Sequence, residues 1–120
     1  MRTALACLLL TLATAAAHAA PAQYFALRQR AFALDDPRQA AAAFDSLTAL
    51  DADDGATWRA LGDLRWTLGD DAAAVRAYRR VFALGHGPRS VTAYRIARCE
   101  ARASHADSAL AWLDLSLIHI

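Results

Sequence analysis

The chain contains no lysine, because all 13 of its basic residues are arginine. Glutamate is nearly absent as well, since Glu100 is the single example among 12 acidic residues. Without lysine, the Walker A phosphate-binding loop of P-loop NTPases cannot form, because that loop uses a lysine to hold the phosphates. We interpret the bias toward arginine and aspartate as typical of a GC-rich bacterial genome.

A strong excess of charge is also lacking. The net charge is +1 and both signs are interleaved, so the chain has neither the basic footprint of a nucleic-acid-binding protein nor a polybasic membrane patch.

The β-branched and aromatic residues that favour strands are sparse, while alanine and leucine favour helix. The 57% hydrophobic content excludes wholesale disorder, and 120 residues allow one small domain. We therefore predict an all-α fold.

The N-terminus has the pattern of a cleaved secretory signal peptide. Arg2 precedes an apolar run over residues 4–17, and Ala17-His18-Ala19 supplies the small residues of a cleavage site. The run is shorter than the roughly 20 residues that a membrane span needs. We assign residues 1–19 to the signal peptide, expect no stable membrane insertion after cleavage, and predict a periplasmic or secreted protein. The remaining cysteine, Cys99, is then expected to be a buried small side chain.

The last six residues change character abruptly. Residues 115–120, with the sequence LSLIHI, match the translation of a transposon end that is used as a sequencing adapter. We interpret them as an artefact of a truncated reading frame, although an apolar helix tail would have a similar composition. The predicted repeat domain therefore covers residues 21–114, and we expect the gene product to continue beyond it.

A period of 34 residues organises the sequence between these ends. Tyr24, Phe32, Ala40 and Phe44 recur as Trp58, Trp66, Ala74 and Tyr78, and a third copy follows one residue late. The middle copy has Trp58-x2-Leu61-Gly62 followed by Ala74-x3-Tyr78. This motif and its period resemble the tetratricopeptide repeat (TPR) family. The resemblance implies about three helical hairpins, over 21–54, 55–89 and 90–114, that form a right-handed superhelical solenoid.

Capping residues place the helices within these repeats. Asp36-Pro37 and Asp70 suit helix starts, Gly69 and Gly85 suit helix ends, and Gly87-Pro88 opens the third hairpin. We predict helices over residues 22–34, 37–50, 56–68, 71–84, 89–103 and 106–117. Gly62 and Ala74 should form a close helix crossing that Tyr78 fills. Arg28, Arg65 and His86 depart from the family pattern, and Arg28 leaves the register of the first helix open.

No catalytic or metal-binding motif stands out in the sequence. G-x-S-x-G and H-E-x-x-H are absent, and His86 and His105 lack a second ligand at helical spacing. The acidic run over residues 51–54 lacks the later ligands of a calcium loop, so we interpret it as a turn at the positive end of a helix. We predict a non-enzymatic protein without metal or cofactor.

The TPR resemblance implies a binding groove for a protein or peptide partner, lined by the first helix of each hairpin. Transferred to this sequence, that face consists of Phe25, Gln29 and Phe32, of Arg59, Asp63 and Trp66, and of Tyr94, Arg98 and Arg102. We expect Arg98 to be exposed beside Tyr94. Large aromatic residues at helical spacing also pack between helices, so Phe32 and Trp66 allow either interpretation.

Two functions remain open at this point. The chain could be an exported scaffold for protein interactions, made only of such repeats. It could also be the N-terminal accessory region of a longer exported hydrolase or peptidase. Further 34-residue periods in the downstream sequence would favour the scaffold, whereas a catalytic motif there would favour the enzyme.

Overall fold

The computed structural model describes residues 22–120, and within this range the chain forms six helices and no strand. Helix α1 includes residues 22–32. The others are α2 (Pro37–Leu50), α3 (Gly55–Thr67), α4 (Asp71–Leu84), α5 (Arg89–Arg102) and α6 (Ala106–Ile118). The predicted all-α fold is confirmed, and the predicted helix bounds agree within two residues. The predicted signal peptide and its cleavage site lie outside the described residues.

Aspartate side chains cap the N-termini of three helices. Asp36 accepts hydrogen bonds from the backbone N–H groups of Arg38 and Gln39, as predicted from the Asp36-Pro37 pair. Asp70 accepts from Ala73 N–H in the same way, and Asp54 caps α3 through Thr57 N–H. These bonds satisfy backbone donors that have no partner inside the helix. Helix α1 ends at residue 32, two residues before the predicted end, and a turn follows in which Leu34 N–H donates to the Ala31 carbonyl at 3.2 Å.

The turns inside the second and third hairpins have the same geometry. Gly69 lies at a φ of 80° and Ser104, its equivalent one repeat later, lies at a φ of 65°. After each of them the chain closes with an N–H bond to a carbonyl five residues back: Asp70 to Arg65 at 2.9 Å and His105 to Glu100 at 2.8 Å. Ser104 is the described non-glycine residue with positive φ. The fold therefore repeats this turn even where the sequence lacks the glycine that favours it.

Helices that follow one another in sequence pack against one another, from α2 with α3 to α5 with α6. One apolar cluster joins α1, α2 and α3 and includes Phe44, Leu47 and Leu61. A second cluster joins α4 and α5 through Val75, Tyr78, Ile96 and Cys99. The second helix of a hairpin is therefore covered by the first helix of the next hairpin. This arrangement is compatible with a helical repeat.

The predicted close crossing in the second hairpin is confirmed. Gly62 is buried on α3, and a Cβ atom at this position would lie 2.6 Å from Cε1 of Tyr78 on α4. Ala74 and Tyr78 are fully buried on the facing side of α4. The tyrosine ring therefore occupies the space that any side chain larger than glycine would need.

The three departures from the TPR pattern each have a structural partner. Arg28 donates from Nε to a carboxylate oxygen of Asp54 at 2.8 Å, which fixes the register of α1 on α3. Arg65 forms an ion pair with Asp45 and so links α3 to α2. The His86 side chain covers Gly55 at the start of α3, where it leaves no room for a Cβ atom.

Candidate interaction surface

The first helices of the three hairpins, α1, α3 and α5, contact one another in succession. The contact between α1 and α3 is polar: Tyr24 donates its hydroxyl to Asp54 at 2.6 Å, and Arg28 donates to the same carboxylate. Between α3 and α5, the Trp66 ring lies against the guanidinium groups of Arg98 and Arg102. The three helices therefore form a continuous row, which we call the first-helix row (α1, α3 and α5).

Asp54 is the centre of the contact between α1 and α3. It accepts from the hydroxyls of Tyr24 and Thr57, the latter at 2.8 Å, and from Arg28. Burial by itself would raise the pKa of Asp54, but the hydrogen bonds from Tyr24, Thr57 and Arg28 outweigh it and lower the pKa to about 2. Burial and the bond to Asp54 raise the pKa of Tyr24. The carboxylate is therefore charged and fully used inside the protein at neutral pH.

Trp66 is the centre of the contact between α3 and α5. The guanidinium carbons of Arg98 and Arg102 lie 4.0 and 3.4 Å from the centroid of its ring. Arg102 also donates to Asp71 at 2.7 Å and to the Trp66 carbonyl at 2.8 Å, and the bond to Asp71 raises the pKa of Arg102. Stacking on an aromatic face and a bond to a carboxylate together fix the orientation of this side chain.

The expectation that Arg98 is exposed beside Tyr94 is wrong. The Arg98 side chain is half-buried against Trp66, and its Nε atom is buried without a hydrogen-bond partner among the described residues. A guanidinium group loses little by stacking on an indole because it is weakly hydrated, and this explains why the chain buries part of Arg98 instead of exposing it.

The predicted groove residues thus separate into two groups. Trp66, Arg98 and Arg102 bind one another, and half-buried Asp63 accepts a hydrogen bond from the Tyr78 hydroxyl. Burial, followed by the bond to Asp63, raises the pKa of Tyr78. Phe32 packs edge-on against Phe44 at a centroid distance of 4.8 Å while remaining half exposed. Phe25, Gln29, Arg59 and Tyr94 form the second group: they are exposed, as Phe32 and Arg102 also are, but their side chains form no hydrogen bond or ion pair with another described residue.

Three of these exposed residues share one repeat position. Phe25, Arg59 and Tyr94 are separated by 34 and then 35 residues, and they lie on α1, α3 and α5 respectively. Since the three helices are neighbours, their equivalent exposed positions follow one another along the first-helix row. The sequence reasoning found these residues but missed the network of Tyr24, Arg28 and Asp54. The one sign of this network in the sequence was Asp54, which was recognised as an acidic residue before α3. A residue at the start of a helix does not reveal a partner 30 residues away, such as Tyr24.

Other features of the described residues offer little chemistry. A cleft of about 390 Å³ between α2 and α3 is lined by Arg38, Asp45, Arg65 and Asp70 and by none of the predicted groove residues. Within residues 22–120, no group of three His, Cys, Asp or Glu side chains could hold a metal ion. Cys99 is buried, and burial raises its pKa to about 11, so it is not a nucleophilic thiolate at neutral pH. We assign no catalytic role to these helices.

None of the helices described is both long and apolar enough to cross a membrane.

In comparisons with known proteins, no protein-family model matches the chain, and no curated protein matches it significantly. The resemblance to TPR proteins therefore depends on the 34-residue period and its motif residues.

Proposed function

We propose that this protein is an exported tetratricopeptide-like repeat protein that acts as a scaffold for protein interactions in the bacterial cell envelope. Its partner, an extended peptide or a protein segment, binds along the first-helix row. The observation that carries the proposal is the succession of contacts from α1 to α3 and from α3 to α5, which places exposed Phe25, Arg59 and Tyr94 on neighbouring helices.

The residue types in this row suit protein recognition. Tyrosine and arginine are enriched among the residues that contribute most to protein interfaces, because they combine apolar contact area with directed hydrogen bonds. Phe25 in the first hairpin is 62% exposed and Tyr94 in the third is 52% exposed. Large aromatic side chains are usually more buried than this in folded proteins. A partner would bury apolar area at both positions and gain the free energy of that burial.

The internal contacts support binding by keeping the row rigid. The Asp54 network and the Trp66 cluster fix the three helices relative to one another before any partner arrives. A preformed surface loses less conformational entropy on binding than a flexible one. Export to the cell envelope is supported by the N-terminal signal pattern of the sequence.

The experiment uses a display library of random extended peptides, selected on the immobilised full chain. For each recovered peptide, Kd is measured with the parent protein and with Arg59→Glu and Tyr94→Ala. We expect each substitution to raise Kd by about tenfold or more, because side chains at the centre of an interface typically have effects of this size. Circular dichroism should be unchanged, since both side chains are exposed.

The matched control is Arg76→Glu, an exposed arginine on α4 that has no ion pair among the described residues. Arg80 on the same helix is less suitable because it donates to the Ala52 carbonyl and to Asp53. Arg76→Glu should change Kd by less than about twofold. Peptides whose binding depends on Arg76 but not on Arg59 or Tyr94 would reject the first-helix row as the binding surface.

A further inference from the structure

Arginines without a carboxylate partner are concentrated at one end of the first-helix row. Arg59 on α3 is exposed, and Arg95 and Arg98 on α5 are half-buried. None of the three takes part in the ion pairs of residues 22–120. Arg65 and Arg102, on the same two helices, are each paired with an aspartate of a second helix. The part of the row formed by α3 and α5 therefore keeps three basic groups available.

The acidic residues of these two helices already have partners inside the protein. Asp63 on α3 accepts a hydrogen bond from the Tyr78 hydroxyl. Glu100 on α5 is 7% exposed and bonds to Nδ1 of His105 at 2.8 Å. Arg95 lies near Tyr78 as well, since its charge opposes the rise in the pKa of Tyr78 that burial and Asp63 cause. The basic groups therefore remain in excess over the carboxylates at this end of the row.

Arg98 is held in place before any ligand arrives. Its guanidinium carbon lies 4.0 Å from the centroid of the Trp66 ring, and its Nε atom is buried without a hydrogen-bond partner among the described residues. Stacking uses the flat faces of a guanidinium group, whereas its terminal N–H groups lie in the plane and can still donate. A carboxylate accepts two such N–H groups at once in a strong charge-assisted pair. Arg98 is therefore oriented for an anion that the protein itself does not supply.

The α1 end of the row is apolar by contrast. Phe25 and Phe32 are 62% and 49% exposed, and exposed Gln29 lies between them. The neighbouring Arg28 is neutralised by Asp54, to which it donates at 2.8 Å. The first-helix row thus has an apolar end on α1 and a basic end on α3 and α5, and a complementary partner has the opposite charge only at the basic end.

We propose that the segment bound along the first-helix row is bipartite, with acidic side chains over α3 and α5 and a large apolar side chain over α1. Arg95 and Arg98 receive one carboxylate, and Arg59 pairs with another. The apolar side chain packs against Phe25. Neighbouring helices lie about 10 Å apart and an extended chain advances about 3.3 Å per residue, so roughly three to six residues separate the two parts. The inference rests on the proposed function, because it names the chemistry of the partner of the same surface.

The probe is an extended peptide of about ten residues that has a phenylalanine near one end and a group of glutamates near the other, with serine and glycine between them. Its termini are acetylated and amidated, so that only side chains are charged, and the two parts are made in both orders. Calorimetric titration of the full chain gives Kd. Replacing the glutamates with glutamine should raise Kd about tenfold or more, and about 0.5 M KCl should remove most of this difference, since salt screens the charges.

Variants of the protein locate the two parts of the peptide. Arg98→Gln should raise the Kd of the glutamate peptide about fivefold to tenfold and that of the glutamine peptide less than about twofold, because the second peptide has no charge to lose a partner. Arg95→Gln should act in the same way, and it keeps the test valid if Arg98→Gln disturbs the stacked ring. Phe25→Ala should raise Kd only for peptides that contain phenylalanine. Arg30→Gln, at an exposed position on another side of α1, is the matched control and should change Kd less than about twofold.

The inference and the proposed function fail in different ways. If library peptides need Arg59 and Tyr94 but the glutamate and glutamine probes bind equally, the partner is not acidic, and the inference is overturned while the proposed function stands. The inference is also overturned if Phe25→Ala weakens peptides with and without phenylalanine equally. A free C-terminus that lowers Kd about tenfold would identify a terminal carboxylate as the ligand and would overturn it too. If neither the library peptides nor the probes bind, both proposals are wrong.

Discussion

The contact between α1 and α3 is centred on a carboxylate, whereas the contact between α3 and α5 is centred on an indole ring. Asp54 binds Tyr24 and Arg28 from α1, and Trp66 binds Arg98 and Arg102 from α5. The two contacts have the same architectural role, because each joins the first helices of successive hairpins. The two contacts differ in how strongly they depend on pH.

The Asp54 network depends on ionisation, since a protonated carboxyl group would be a weaker acceptor for the tyrosine hydroxyl and would no longer pair with Arg28. The Trp66 cluster depends on ring stacking and remains charged at any pH at which the protein is folded, because arginine does not lose its proton. The two contacts join equivalent pairs of helices through different interactions. The junction between α1 and α3 is therefore sensitive to acid, whereas the junction between α3 and α5 is much less so.

The largest effect is expected from a change that disturbs both junctions at once. Gly62 lies in the second hairpin, which carries Asp54 at one end and Trp66 at the other. Gly62→Leu should lower the free energy of unfolding by about 3 kcal/mol or more, because even a Cβ atom would collide with the Tyr78 ring. Urea denaturation followed by circular dichroism measures this. Ala72→Leu, at an exposed position on α4, is the control and should change stability by at most about 0.5 kcal/mol.

The next largest effect should follow from breaking the polar junction alone. Asp54→Ala removes a helix cap and leaves Tyr24, Arg28 and Thr57 without their acceptor, so we expect a loss of about 2–3 kcal/mol in urea denaturation. The neighbouring Asp53 is far more exposed, and among the residues that the structure describes its carboxylate pairs with Arg80 on the surface. Asp53→Ala should cost about 0.5 kcal/mol or less, and equal losses for the two variants would contradict the assigned role of Asp54.

Acid should weaken the polar junction by a smaller amount. The pKa of Asp54 is about 2 in the folded protein, below its ordinary value of 3.8. The charged carboxylate therefore stabilises the fold above about pH 4, and this contribution is lost as the pH falls toward 2. We expect a loss of about 1–2 kcal/mol, seen as a difference between the parent and Asp54→Asn in urea denaturation that shrinks from pH 5 to pH 2. A difference that stays constant over this range would contradict the shifted pKa.

The smallest effect is expected at the stacked junction. Arg102→Gln removes a guanidinium group from the Trp66 ring and its bond to Asp71, but the side chain is partly exposed to solvent. We expect a loss of about 0.5–1 kcal/mol, since an exposed ion pair and an exposed cation–π contact each contribute little. Arg76→Gln is the matched control. A loss as large as that of Asp54→Ala would mean that the two junctions do not differ in the way described.

Much of the fold was predictable because its signals are local. The 34-residue period, the capping aspartates and the glycines after α3 and α4 predict helix bounds within two residues, since each cap acts on backbone groups of its own helix. The third copy, which follows one residue late, aligns Ser104 with Gly69, and both residues have positive φ at the same turn. The TPR resemblance assigned Phe25, Arg59 and Tyr94 to one face of the first helices, and all three side chains are exposed.

The sequence by itself therefore determined that this protein is a series of helical hairpins with a close crossing at Gly62, because those properties follow from patterns within one repeat. Only the tertiary structure decided which charged side chains are available to a partner. Arg28, Arg98 and Arg102 look alike as arginines in the sequence, but their binding to Asp54, Trp66 and Asp71 depends on residues 26 to 32 positions away. A charged side chain pairs with whatever the packing of other helices brings within reach, and no local pattern encodes that distance.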